Sequence, residues 1–246
     1  TGQELKPHTI PIPIAHASAE GGEVAEAQVG RQDYPLSVDP VRYVGEPVAA
    51  VIATTAEAAT DGAGAVEVDW EPLPAVSDPS QAMADGAPLL FDDAPKNIEH
   101  SNTIKAGDPD AAFAKAKRVV KQRIVSQRLC SVAMEPRACV AAPDPTTSGL
   151  VMWATHQAPH ALRTDLAGVL GMDQNLIRVI NPDMGGGFGN KFGCYPEDVV
   201  LAALARHHRL GLKWVETRVE HMVATTHGRA QVADLEAAVE DDGTIT

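Results

Sequence analysis

The stretch Ile180-Asn181-Pro182-Asp183-Met184-Gly185-Gly186-Gly187-Phe188-Gly189-Asn190-Lys191 sets four glycines around one phenylalanine, between a β-branched run and a Pro-started apolar run. Glycines there allow φ > 0 and let backbone N–H groups come close to a ligand. Two phosphate loops can be tested against it. The dinucleotide pattern needs Gly at positions 1, 3 and 6. From Gly185 the sixth position is Asn190, and from Gly186 the third is Phe188. The Walker pattern needs Gly before Lys191 and Ser or Thr after it, where Asn190 and Phe192 stand. Both fail, and taken alone the loop reads better as a structural turn.

Outward from the loop, elements alternate. Upstream lie a strand in LVMWATHQ, a helix from Pro159 to Leu170 stopped by Gly171, and a strand IRVINP. Downstream, Pro196 starts a helix with Glu197 and Asp198 in its first turn, running through VVLAALARHHR to Gly211 and on to the strand LKWVE. Asp108 and Pro109 form an N-cap pair opening a helix over 111–117, and VVKQRIVSQR alternates with the period of a strand. Residues 77–106 read as a long ordered connection. Before it, VRYV, VAAVIA and VEVDW suit strands, with Thr54 and Glu57 as a capping box for the Ala-rich helix between the last two. The fold class is α+β, and the connection marks a domain boundary.

Composition narrows the function. With 44% apolar and 22% charged residues the chain is globular rather than disordered. Lys and Arg total 20 against 33 Asp and Glu, a formal charge of −13, which disfavours nucleic acid and anionic membrane surfaces. Cys130, Cys139 and Cys194 are odd in number and form no C-x-x-C pair, so neither a disulfide framework nor an iron–sulfur or zinc site is indicated, and a reducing cytoplasm is the expected home. No apolar run reaches the length of a membrane span.

Gln157, in Thr155-His156-Gln157-Ala158-Pro159, sits at a strand end ahead of a helix, where its amide can donate a hydrogen bond into a site; alone it reads as a cap or a solvated side chain. His156 and His160 have i, i+4 spacing but no accompanying Glu, so no metal-ligand set is expected. His207 and His208 suit a helix tail, Glu135 and Arg137 a structural turn, and Cys194 a packed thiol.

Five separated segments agree in order and spacing with one family. VRYVGEPVAAVIA, AMEPRACVAAPD, THQAPH, INPDMGGGFGNKFG and KWVETRVEHMVATTHGR resemble the large subunit of the molybdenum hydroxylases, the xanthine dehydrogenase and aldehyde oxidase group, most of all the aerobic carbon monoxide dehydrogenase large chains. The resemblance implies a partial α/β hammerhead domain over 1–80, a connection over 81–106 and the N-terminal part of the molybdopterin-binding domain over 107–246. It assigns cofactor binding to Gly186, Gly187, Phe188, Gly189 and Gln157, with Gln157, Phe188 and Gly189 closest to catalysis and Gln157 near an oxo ligand. It needs no protein ligand to the metal, because the pterin dithiolene holds molybdenum. An added Cβ at Gly187 or Gly189 is expected to lower cofactor occupancy.

The resemblance further implies a small-molecule substrate (carbon monoxide, an aldehyde or a heteroaromatic), water as oxygen source, and a molybdenum–molybdopterin cofactor, with a cytosine dinucleotide form among the options. It implies an iron–sulfur (2Fe-2S) small subunit and an FAD medium subunit as partners, together with the remaining part of the large subunit. Phe192 stands where purine-oxidising members carry an acid, which speaks against a purine substrate. The family's general-base Glu and substrate loop lie beyond the matched segments, so the resemblance implies a chain truncated at both ends. The alternative is a non-catalytic fragment or cofactor-free binding module of the same fold.

Overall fold

The computed structural model describes residues 1–12, 23–25, 34–38 and 40–245. In chain order the regular elements are α1 (Gly2–Leu5), β1 (Glu23–Ala25), α2 (Ala56–Gly64), α3 (Pro79–Ala82), β2 (Ser101–Thr103), α4 (Pro109–Lys115), β3 (Arg118–Leu129), β4 (Ala138–Pro143) and β5 (Leu150–Ala154). They continue with α5 (Pro159–Leu170), β6 (Ile177–Ile180), α6 (Pro196–His208), β7 (Leu212–Val215), α7 (Arg218–Ala224) and β8 (Gly228–Val239). The chain divides into two units, one of residues 1–15, 32–71 and 130–227, the other of residues 16–31, 72–129 and 228–246.

The first unit is built on a four-stranded sheet in the order β6-β5-β4-β7. β5 and β6 run parallel, joined by α5, whereas β4 is antiparallel to both β5 and β7. Alternation sends Cys139 and Ala141 of β4 and Leu150, Met152 and Ala154 of β5 into the core. Leu162, Leu166, Val169 and Leu170 form the matching stripe on α5, and Val199, Ala202 and Ala203 that on α6. Gly171 ends α5 at φ 58° and accordingly needs no side chain. The alanines of α6 let it lie close across β4, which is how a core poor in aromatics still packs.

The second unit holds a long antiparallel ribbon, β3 with β8, registered from Arg118 opposite Val239 to Leu129 opposite Gly228. β1 pairs with β2. Asp108 caps α4, its carboxylate accepting from Ala111 N at 3.1 Å, with Pro109 in the first turn.

Some expectations are corrected. VRYV, VAAVIA and VEVDW form no strand; β-propensity reports fit to a pleated, partnered surface, and among the described residues no ladder pairs with them. The cap of α2 is Thr55, whose hydroxyl accepts from Ala58 N at 3.2 Å, one residue after the expected Thr54. α4 ends at Lys115 rather than Lys117. The 77–106 connection carries α3 and β2. Much of the opening segment, 13–22 and 26–33, lies outside the described residues, as does Thr246.

Candidate functional site

β5 and β6 point the same way, and the chain leaving their carboxyl ends carries Gln157 from one and the glycine loop from the other. Crevices beyond the carboxyl ends of parallel strands are where α/β sheets place ligands. His156 joins the two ends. Its backbone N donates to Asn181 Oδ1 at 3.2 Å, its Nδ1 accepts from Ala158 N, and its Nε2 donates to Gly193 O. Burial, the largest influence, holds its imidazole below the usual pKa. Both ring nitrogens are therefore committed to the backbone, and His160 is exposed on α5.

Gln157 meets the loop directly. Its side-chain oxygen accepts from Gly189 N at 2.9 Å and Lys191 N at 3.1 Å, while its own backbone N donates to Lys191 O at 2.6 Å. Asn190, buried, donates through Nδ2 to Ser131 O at 2.7 Å and to Thr225 Oγ1 at 3.0 Å. Lys191 has no exposure and pairs with Glu135 at 2.7 Å, and the same carboxylate oxygen accepts from Gly185 N at 2.8 Å. Among the described residues this leaves the N–H groups of Gly186, Gly187 and Phe188, together with Gln157 Nε2, without a partner.

The glycines serve by different means. Gly186 and Gly189 lie at φ 92° and 93°, where a side chain is strained. Gly187 lies outside that region, and its reason is a neighbour: an added Cβ there would stand 2.5 Å from Gln157 Oε1 and 2.6 Å from its Cδ. Gly187 is glycine so that Gln157 can reach the loop. Phe188 itself adopts φ 52° and is 73% exposed, with its ring over Gly186. A bulky residue held in that region and left in solvent costs energy on both counts.

A buried ion cluster stands at the same end of the sheet. Arg137, immediately before β4, donates from Nε and Nη2 to Glu216 Oε1 at 2.8 and 2.6 Å and from Nη1 to Glu197 at 3.1 Å. Its guanidinium lies 3.8 Å from the centroid of the Tyr195 ring. His221 places Nδ1 2.7 Å from Glu216 Oε2 and donates from Nε2 to Ser131 O at 3.0 Å. Burial would raise the Glu216 carboxyl, and Arg137 outweighs it, holding the group below the usual range. Asp198, in the first turn of α6, is pushed by burial up to about 6. Burial raises Cys139 and Cys194 well above ordinary thiols, as suits packed rather than nucleophilic sulfur.

The donor set fits an anionic, oxygen- and sulfur-rich cofactor. Three successive backbone N–H groups and one amide face no protein acceptor, and the loop carries no free cation that would demand a phosphate. The structure brings Gln157 against Gly187, Gly189 and Lys191. Glu135 and Arg137 do not pair with each other; each takes a distant partner. The sequence reading passed over Lys191 and Asn190 as loop anchors. A lysine in a glycine loop that fails every phosphate pattern was the available signal, because it must find a carboxylate elsewhere.

Comparison with known proteins identifies two domain models. The molybdopterin cofactor-binding domain matches residues 90–246, and the aldehyde oxidase and xanthine dehydrogenase a/b hammerhead domain matches residues 12–74. The chain is 41% identical over 211 residues to the 6-hydroxypseudooxynicotine dehydrogenase complex subunit gamma of Paenarthrobacter nicotinovorans, covering 85% of this chain and 26% of that one. It is 37% identical over 223 residues to the carbon monoxide dehydrogenase large chain of Afipia carboxidovorans, covering 85% and 28%. Quinoline 2-oxidoreductase from Pseudomonas putida 86 superposes with a TM-score of 0.84 at 29% identity, over 99% of this chain and 30% of that one. The chain thus spans less than a third of the length of these relatives.

Proposed function

The chain belongs to the aldehyde oxidase and xanthine dehydrogenase family, whose molybdopterin cofactor-binding domain it carries, and from that premise we propose that it is part of the large subunit of a molybdenum hydroxylase. In this reading residues 1–80 contribute a partial hammerhead domain, 81–106 the connection, and 107–246 the N-terminal part of the cofactor domain. The substrate is a small molecule, carbon monoxide, an aldehyde or a heteroaromatic, oxidised with water as the oxygen source. Electrons leave through a 2Fe-2S small subunit and an FAD medium subunit, since two-electron chemistry needs onward carriers and this sequence has no C-x-x-C cluster to supply them. The pterin takes the plain or the cytosine dinucleotide form. The three cysteines are free thiols, which suits a cytoplasmic setting.

The observation that carries this reading is the unpartnered donor row of Gly186, Gly187 and Phe188 beside Gln157 Nε2, in a loop whose other N–H donors are all bonded. When bound, the cofactor supplies the two-electron oxidation. The protein's part is to hold it: loop N–H groups orient its acceptors, and Gln157 offers Nε2 to an oxygen acceptor while its Oε1 is fixed by Gly189 and Lys191. Such fixed donors need no reorganisation as charge develops. Phe188, exposed beside them, borders the space a substrate enters.

Gln157→Glu tests the reading. The carboxylate keeps an oxygen for Gly189 N and Lys191 N, so the loop stays folded, but the outward donor becomes a repelling acceptor. Turnover of the assembled enzyme is expected to fall more than about tenfold, about 1.4 kcal/mol of barrier. Unchanged turnover would show that the side chain does not face the reacting group. Metal-free, pterin-free material from the natively assembled protein would instead favour a cofactor-free module.

A further inference from the structure

We propose that Glu135 and Lys191 form a latch that closes the two ends of loop 185–191 and thereby sets how its N–H donors and Gln157 present themselves to the cofactor. Both are positioning residues, and the proposal rests on the reading of this loop as the cofactor seat.

Lys191 is wholly buried, and a buried ammonium is tolerated only with a partner; the carboxylate it meets is that of Glu135, 2.7 Å away. That same oxygen, Oε2, accepts from Gly185 N at 2.8 Å, so one atom joins the first and last positions of the loop. At the closed end, the main chain of Lys191 also grips Gln157, giving its N–H to Oε1 and taking the N–H of Gln157 on its carbonyl. Lys191 therefore transmits the placement of Glu135 to Gln157. The packing at the open end agrees. A Cβ on Gly185 would stand 2.7 Å from Glu135 Cβ, so glycine there lets the carboxylate come close enough to serve both ends. Burial would raise the Glu135 carboxyl, and the hydrogen bonds from Lys191 and Gly185 with the Lys191 charge outweigh it and hold it below its usual value. A pair needed only to fill space would be as well replaced by apolar groups. Here it closes the segment that carries the unpartnered N–H groups of Gly186, Gly187 and Phe188.

The test uses the full-length large subunit in its assembled complex, with Glu135→Gln, Lys191→Met and the double variant Glu135→Gln/Lys191→Met. Three readouts are taken: melting temperature, the rate at which molybdenum is lost on dialysis, and amide hydrogen exchange over loop 185–191 in cofactor-depleted complex. Each single variant is expected to speed loop exchange by roughly tenfold and molybdenum loss by a similar factor, since loop opening then costs less. The double variant, free of a lone buried charge, is expected to return to within about 2 °C of the parent melting temperature while exchange and molybdenum loss stay fast. A double variant that recovers stability, exchange and retention together would overturn the latch, leaving an ordinary buried pair. Should Lys191→Met fail to fold, Glu135→Gln decides alone, because the amide keeps an acceptor for Gly185 N; parent-like exchange and retention there would overturn the proposal. Gly187→Ala in the same assay separates the two levels. Faster molybdenum loss in Gly187→Ala without any in the latch variants removes the latch and keeps the loop as cofactor seat. Parent-like retention in all of them removes the seat itself.

Discussion

Among the described residues, Arg137 and Arg123 both face carboxylates, to different effect. Arg137 and Glu216 have side-chain exposures of 6% and 0%, and the pair is joined by Glu197, His221 and the Tyr195 ring. Arg123 and Asp234, on opposite strands of the β3/β8 ribbon, are 55% and 67% exposed. The buried cluster ties the start of β4, the first turn of α6, the end of β7 and α7 to one another at the end of the sheet where the glycine loop lies. On the ribbon the pair is exposed, and water and dissolved ions screen it. Chemistry alone does not rank them; burial does, because removing one partner of a buried pair strands the other charge.

The sharpest way to break that comparison is Arg137→Met, which leaves Glu216 buried opposite an apolar chain. A loss of about 3–5 kcal/mol in unfolding free energy is expected from denaturant titration. A loss under about 1 kcal/mol would place the cluster with the surface pairs.

Titration tests the same cluster with opposite signs. Glu216 is held below its ordinary 4.5, so its contribution is complete above that value and is lost as pH falls through the lower folded value. Asp198 is raised from 3.8 to about 6, so the native state holds its proton more tightly and stability falls as pH rises between those values. Asp198→Asn should remove that second slope and raise stability at pH 7 by about 1–3 kcal/mol, while its amide oxygen still accepts from Tyr195 N. A pH profile unchanged by the substitution would contradict the assignment.

Smaller effects are expected at Gly189 and on the ribbon. Gly189→Ala meets no neighbour but must hold φ near 93°, costing on the order of 1 kcal/mol in stability. Arg123→Ala should cost about 0–1 kcal/mol and nothing measurable in 1 M salt. A salt-insensitive loss of 2 kcal/mol or more would show that the ribbon pair is not a surface pair.

These regions also differ in how far their sequence discloses them. The β5-α5-β6 unit and α6 were legible because local rules suffice: an apolar stripe at helical spacing, Gly171 as a left-handed stop, Pro196 as a start. The period-two run of β3 does form a strand, yet Val120, Val125 and Leu129 are exposed along it, so alternation identified the element and not its environment. In residues 41–70 β-branched content alone misled, since strands need partners that propensity does not name. At the site, Gln157 and residues 186–189 stood out as motifs. The anchoring did not, because Glu135 finds Lys191 across 56 residues and Arg137 finds Glu216 across 79, separations on which no local pattern reports. The separate reasons for Gly187 and Gly189, a neighbouring side chain and a backbone angle, are visible only in three dimensions.

The proposed seating of the molybdenum cofactor by the backbone of loop 185–191 stands or falls on molybdenum content per folded large subunit in Gly187→Ala, measured beside Gly189→Ala in the assembled complex. A methyl at Gly187 pushes Gln157 away and intrudes on the donor row, so occupancy should fall at least about fivefold, about 1 kcal/mol, with a smaller change in Gly189→Ala at matched stability. Full molybdenum occupancy in Gly187→Ala would contradict the account.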